Sequence, residues 1–260
     1  MRHTDLKQFK QRGEKITCLT AYDASLAKLI DSCGVDLILI GDSLGMVVQG
    51  GASTRSVTMP EMVYHTKAVT SVCQKALVMA DLPFQSYEEP LSALENAKLL
   101  INAGAQMVKL EGGAERQEVV QILIKNDIPV CAHLGLQPQK VKEVSDYKIQ
   151  GRDQNSAKKI LDDALLLESL GVSVLVLECV PSSLASLVSE QLTIPTVGIG
   201  AGKDCDGQVL VCFDMLGITQ GKLPRFVRDF TEDNQGVAMA IKAFVQAVKN
   251  QSFPSEKESY

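Results

Sequence analysis

A (β/α)8 TIM barrel, one α/β domain over residues 1–260, is the fold the sequence predicts. Three observations predict it. Short runs dominated by Val, Ile and Leu recur eight times, amphipathic segments stand between most of them, and the 260-residue length suits about eight strand-helix units. Continuous apolar strands belong to parallel sheets whose faces are covered by helices. A closed barrel is preferred to an open doubly wound sheet because the first strand-to-helix turn, TAYDAS (20–25), lacks the G-x-G-x-x-G turn that seats a dinucleotide.

In order, the runs are ITCLT (16–20), DLILIG (36–41), ALVMAD (76–81), QMVKLEG (106–112), IPVCAHLG (128–135), SVLVLEC (173–179), IPTVGIG (194–200) and QVLVCFD (208–214). Apolar residues fall at helical spacing in EEPLSALENAKLLINAG (88–104), ERQEVVQILIKND (115–127) and SAKKILDDALLLESLG (156–171). SCGVD, NAGAQ and SLGVS each place a glycine where a helix should end, which marks boundaries and says nothing of chemistry. From about residue 222 the strand-helix rhythm stops. A C-terminal helical extension follows, with NQGVAMAIKAFVQAVKN (234–250) as its helix and QSFPSEKESY (251–260) as a polar tail, frayed or in contact with another subunit.

Composition excludes several classes. Net charge is −5, from 26 Lys and Arg against 31 Asp and Glu, so no positive field draws a nucleic-acid backbone. No apolar stretch approaches membrane-span length and the first residues are polar, which places the chain in the cytoplasm with no membrane partner. The seven cysteines form no C-x-x-C pair and most sit in apolar runs, as buried reduced thiols do.

In a barrel of this kind the working groups lie at the C-terminal ends of the strands. There the runs end in Asp42 and Ser43, Asp81, Lys109 and Glu111, His133, and Glu178, so four carboxylates, a lysine and a histidine converge on one rim. A lone Asp at such a place is more often a helix N-cap. Three acids on successive strands, Asp42, Asp81 and Glu111, instead call for a cation, and oxygen-only ligation suits Mg²⁺. Zinc fits poorly, since the three histidines (His3, His65, His133) make no i, i+4 pair.

Lys109 and Glu111 share a strand face, so they form either a salt bridge or, if that face is the barrel interior, a fixed charge for a substrate carboxylate or enolate oxygen. His133 is either a satisfied core histidine or a substrate-binding group. Glu178 follows VLVL, where a carboxylate loses water, and is a candidate general acid or base. The glycine-rich GIGAG (198–202) has the form of a phosphate-cradling turn, or of a tight turn with close backbone approach.

GDSLGM (41–46), ADLPF (80–84), MVKLEGG (107–113), HLGLQPQ (133–139), YKIQGR (147–152), LVLECVP (175–181), VGIGAG (197–202) and DGQVLV (206–211) together resemble the ketopantoate hydroxymethyltransferase family, in order and over nearly the whole chain. The resemblance implies Mg²⁺, 5,10-methylenetetrahydrofolate as one-carbon donor, 3-methyl-2-oxobutanoate as acceptor, and a homo-oligomer, commonly a decamer. It implies Asp42, Asp81 and Glu111 as metal acids, Asp42, Ser43, Asp81 and Lys109 at the oxo acid, and Glu178 as proton acceptor. One departure is Ser145-Asp146, where the family pattern has two glycines suited to a lid. The rival readings are a Mg²⁺-dependent 2-oxo-acid lyase or mutase of the phosphoenolpyruvate type, which needs no folate, and a non-catalytic barrel scaffold.

Overall fold

Eight parallel strands hydrogen-bond in sequence order and close, β8 pairing back onto β1. They are β1 (Ile16–Thr20), β2 (Leu37–Ile40), β3 (Leu77–Asp81), β4 (Met107–Glu111), β5 (Val130–Gly135), β6 (Val174–Glu178), β7 (Thr196–Ile199) and β8 (Gly207–Leu210). The structure is a computed structural model that describes residues 2–141, 147–221 and 223–260; Ser145-Asp146 lies outside the described residues.

Around the barrel run α1 (His3–Gln11), α2 (Ala24–Ser32), α3 (Leu44–Val47), α4 (Met59–Thr70), α5 (Pro90–Asn102), α6 (Gln117–Lys125), α7 (Gln154–Ser169), α8 (Ser182–Gln191), α9 (Cys212–Met215) and α10 (Val237–Lys249). Local chemistry sets the helix starts. Asp23 and Asp153 accept from the first free N–H groups of α2 and α7, Thr58 and Glu61 form a capping box on α4, and Pro90 opens α5 where no N–H is needed. Gly34, Gly104 and Gly171, at positive φ, end α2, α5 and α7 as the sequence predicts.

Because side chains alternate along a strand, each strand feeds two cores. One set packs outward against the helices. The other fills the barrel with Ile16, Cys18, Leu37, Leu77, Met79, Met107, Cys131, Val174, Val197 and Val209, and α1 inserts Leu6 and Phe9 against it. Leu6 has no exposed surface. The lower barrel is therefore solid and apolar, and polar residues are left for the upper end.

Two segments differ from expectation. The run QVLVCFD is not strand throughout: Cys212 donates its N–H to Thr20 Oγ1 (2.9 Å) and starts α9. The tail is docked, not frayed. Phe253 packs edge-on against Phe230 and Phe244, Arg228 holds Glu258 with two hydrogen bonds (2.6 and 2.8 Å), and Ser182 donates both N–H and hydroxyl to the Tyr260 main-chain oxygen (2.8 Å each). Between β7 and β8 there is a loop and no helix. Its GIGAG glycines serve close packing: a side chain at Gly200 would meet the Phe226 and Tyr260 rings, and one at Gly202 would meet Ser182.

Candidate active site

The inward alternation that fills the lower barrel with apolar side chains places charged ones two residues further on. Asp81 ends β3 in register with Lys109, Glu111 ends β4 opposite His133, and Glu178 ends β6 beside Gly135. Asp42 and Ser43 follow β2. All seven side chains predicted from sequence line one cavity of about 380 Å³, and Asp42, Asp81, Lys109, Glu111, His133 and Glu178 are each 8% exposed or less.

Within it, Lys109 Nζ donates to Asp81 Oδ1 at 2.6 Å, so the lysine pairs across strands and not with Glu111 along its own. Asp81 Oδ2 accepts the Asp42 backbone N–H at 3.0 Å. Burial, then the charge of Asp81, pushes the Asp42 carboxyl up to about 7. Burial and the charge of Asp42 hold Glu111 well above the usual carboxylate range. Burial alone would lower the Lys109 ammonium, but Asp81, Glu111 and Asp42 together more than reverse it, so the lysine stays charged.

His133 stands between two acids, Nε2 at 3.2 Å from Glu178 Oε2 and Nδ1 at 3.7 Å from Glu111 Oε1, with neither nitrogen aligned in a hydrogen bond. Burial lowers its pKa, which keeps the ring neutral near pH 7. The chain turns sharply after Glu178. Cys179 takes a left-handed φ of 49°, a strained value for a residue with a side chain, and strain of this kind collects at working sites. Gly135 (φ +91°) has no room for a Cβ, which would lie 2.1 Å from the Glu178 carbonyl oxygen.

Four buried carboxylates face one lysine. Burial and mutual repulsion disfavour the charged forms of Asp42 and Glu111, and a hard divalent cation, which prefers oxygen donors, would offset that cost. Among the described residues no group of three or more His, Cys, Asp or Glu side chains is placed to hold a metal ion without rearrangement.

Sequence reasoning missed the groups that hold these acids in place. Gln139 is 3% exposed; its Nε2 donates to Asp42 Oδ2 (2.8 Å) and the Leu82 carbonyl (3.0 Å), and its N–H donates to Glu111 Oε2 (3.0 Å). Tyr87 completes the network, donating to Gln139 Oε1 (2.5 Å) and accepting the Glu111 N–H (3.3 Å). Arg55 donates to the Gln139 carbonyl (3.1 Å) and lies 3.8 Å over the Phe84 ring, and Tyr22 Oη is 2.8 Å from Ser43 Oγ. The available signal was the glutamine pair inside LQPQ, just past a strand that ends in the site.

The sequence model of the ketopantoate hydroxymethyltransferase family matches residues 1–256. The chain belongs to that family. It is 60% identical over 255 residues to a 3-methyl-2-oxobutanoate hydroxymethyltransferase from Ruthia magnifica subsp. Calyptogena magnifica, covering 98% of each chain. To the protein of that name from Nitrosococcus oceani it is 51% identical over 258 residues, covering 99% of this chain and 98% of that one.

Among solved structures it is similar to a phosphoenolpyruvate phosphomutase from Streptomyces platensis subsp. rosaceus (TM-score 0.63, 13% identity, 84% of this chain and 83% of that one). It is also similar to a phosphonopyruvate hydrolase in complex with oxalate and Mg²⁺ (TM-score 0.63, 12% identity, 99% and 93%). At these identities the likeness shows a shared barrel fold.

Proposed function

We propose that the chain transfers a hydroxymethyl group from 5,10-methylenetetrahydrofolate to 3-methyl-2-oxobutanoate, giving 2-dehydropantoate, the first step of pantothenate synthesis. Membership of the ketopantoate hydroxymethyltransferase family supports the reaction. The observation that carries the mechanism is Glu178, which faces the same buried cavity as the Lys109–Asp81 pair and Asp42. Bound Mg²⁺ would supply a positive centre that acidifies the C3–H bond of a 2-oxo acid.

The chain's own groups do the rest. Asp42, Asp81 and Glu111 would hold the ion, Lys109 and Ser43 orient the substrate carboxylate and keto oxygen, and His133 lines the pocket beside Glu178. Glu178 takes the C3 proton. The carbanion-like C3 then forms a bond to the donor methylene, the methylene-nitrogen bonds break, water supplies the hydroxyl, and tetrahydrofolate leaves. The apolar floor beneath Lys109 excludes bulk water and strengthens each of these charges.

The same reading makes the chain a homo-oligomer, a decamer by family resemblance, working in the reducing cytoplasm. Tyr64 on α4 and Leu91 and Leu99 on α5 support it, being 70%, 70% and 48% exposed, as do seven free thiols. Light scattering of the purified protein tests the assembly.

The chemistry is tested by following the C3 proton of 3-methyl-2-oxobutanoate in D₂O by NMR, with Mg²⁺ or chelator and with or without the folate donor. Metal-dependent exchange plus a new hydroxymethyl signal on adding donor is the expected result. Cleavage or isomerisation without donor would return the lyase or mutase reading, and no turnover with no Mg²⁺ binding would return the scaffold.

A further inference from the structure

The cavity is too large and too varied for the small oxo acid alone. At about 10–15 Å³ of cavity per water-sized group, an eight-atom acid fills roughly 80–120 Å³, while the cavity holds about 380 Å³. Beyond the charged cluster, its wall comes from the chain after β8 and from α3. Met46, Val211, Leu223 and Phe226 make that wall apolar, and Asp214 is set into it.

Asp214 is an odd residue to find there. The residue is half-buried, and burial raises its pKa. Thr219 Oγ1 donates to Oδ1 at 2.6 Å, and among the described residues that hydroxyl is its side-chain donor. A carboxylate has about four acceptor sites, so this one donor leaves acceptor sites free where Asp214 lines the cavity. The group lies beside the floor of the site: its charge, after burial and Cys212, helps to raise the Tyr22 phenol, whose oxygen is 2.8 Å from Ser43 Oγ.

An apolar slot with one half-buried carboxylate that keeps acceptor sites free recognises a flat ring that offers two N–H donors along one edge. The carboxylate takes both in a two-point contact, and the apolar walls cover the ring faces. A 2-amino-4-oxopyrimidine ring has that edge, in its N3–H and 2-amino groups. We propose that Asp214 anchors a second subsite, which holds the pterin ring of the one-carbon donor by that edge and presents the donor to the oxo acid on the floor. This rests on the folate-dependent reading above.

The test is calorimetry on the full-length protein with Mg²⁺, using tetrahydrofolate under anaerobic conditions as probe and 3-methyl-2-oxobutanoate as the floor ligand. Asp214→Asn is expected to weaken tetrahydrofolate by about tenfold or more while changing the oxo-acid Kd less than about twofold. A tetrahydrofolate analogue with methyl in place of the 2-amino group should lose a similar factor on the wild-type protein, which keeps the test valid if the variant does not fold.

Thr219→Val separates ligand recognition from a loop staple, since it removes the internal hydrogen bond and leaves the carboxylate. A loss of tetrahydrofolate affinity in Thr219→Val equal to that in Asp214→Asn would overturn the proposal. So would an unchanged tetrahydrofolate Kd in Asp214→Asn, or equal binding of analogue and parent. Wild-type protein that neither binds tetrahydrofolate nor forms the hydroxymethyl product would remove the folate reading itself; binding that ignores residue 214 removes only the subsite.

Discussion

Replacing Gln139 with leucine keeps the side chain's bulk and removes its amide. Three buried contacts then lose a partner: Asp42 Oδ2, the Leu82 carbonyl and the Tyr87 hydroxyl. An unmet buried polar group costs about 1–3 kcal/mol. Relaxation will recover part of the sum, so a loss of about 3–5 kcal/mol is expected.

Tyr87→Phe removes the donor to Gln139 and the acceptor of the Glu111 N–H, and should cost about 1–2 kcal/mol alone. In the leucine background the tyrosine has already lost its acceptor. The two changes should therefore fall short of additivity by about 1–2 kcal/mol. Urea unfolding of the four proteins at constant pH, without metal, measures this. A Gln139→Leu loss below about 1 kcal/mol, or additivity within about 0.5 kcal/mol, would refute the view that one connected network positions the acids.

Three further outcomes are expected. Glu178→Gln should slow C3-proton exchange of the oxo acid by about 10²–10⁴-fold and leave its binding in calorimetry; wild-type exchange in the variant removes the base assignment. Asp31, 6% exposed, accepts the N–H groups of Gln74, Lys75 and Ala76, which outweigh burial and hold its pKa below the usual carboxylate value. Its stabilisation is thus present above the unfolded pKa near 4 and lost as pH falls through the lower folded value, so Asp31→Asn should cost about 2 kcal/mol at pH 7 and progressively less below about pH 4 in urea titrations. Gly135→Ala, which sets a Cβ against the Glu178 carbonyl at an unfavourable φ, should lower stability by about 3 kcal/mol and reduce exchange with it; an unchanged melting temperature would contradict the geometry.

The strands were legible because a parallel barrel buries both faces of each strand, which leaves continuous apolar runs such as LVMAD and VLVLE. The charged cluster was legible for the same reason, as charge at the end of such a run stands out. Gln139 and Tyr87 were not, because one sits in a single 3-10 turn (Pro138–Lys140) and the other in a loop, neither long enough to show periodicity, and their partners lie 24 to 97 positions away. The end of β8 was misplaced because VCF continues an apolar run while its backbone is turned by a hydroxyl on β1, at Thr20. The tail is polar in composition, yet one phenylalanine and a paired arginine suffice to dock it.

With α1 plugging the lower end, the described barrel is a blind well. Two reactants that meet in a blind well cannot arrive in either order. If the proposed reaction holds, the oxo acid at the bottom would have to enter before the bulky donor covers it, and the elongated product would stay until the spent carrier has gone. Compulsory-order kinetics would then follow from the placement of Leu6 and Phe9, two side chains at the opposite end of the molecule from the chemistry.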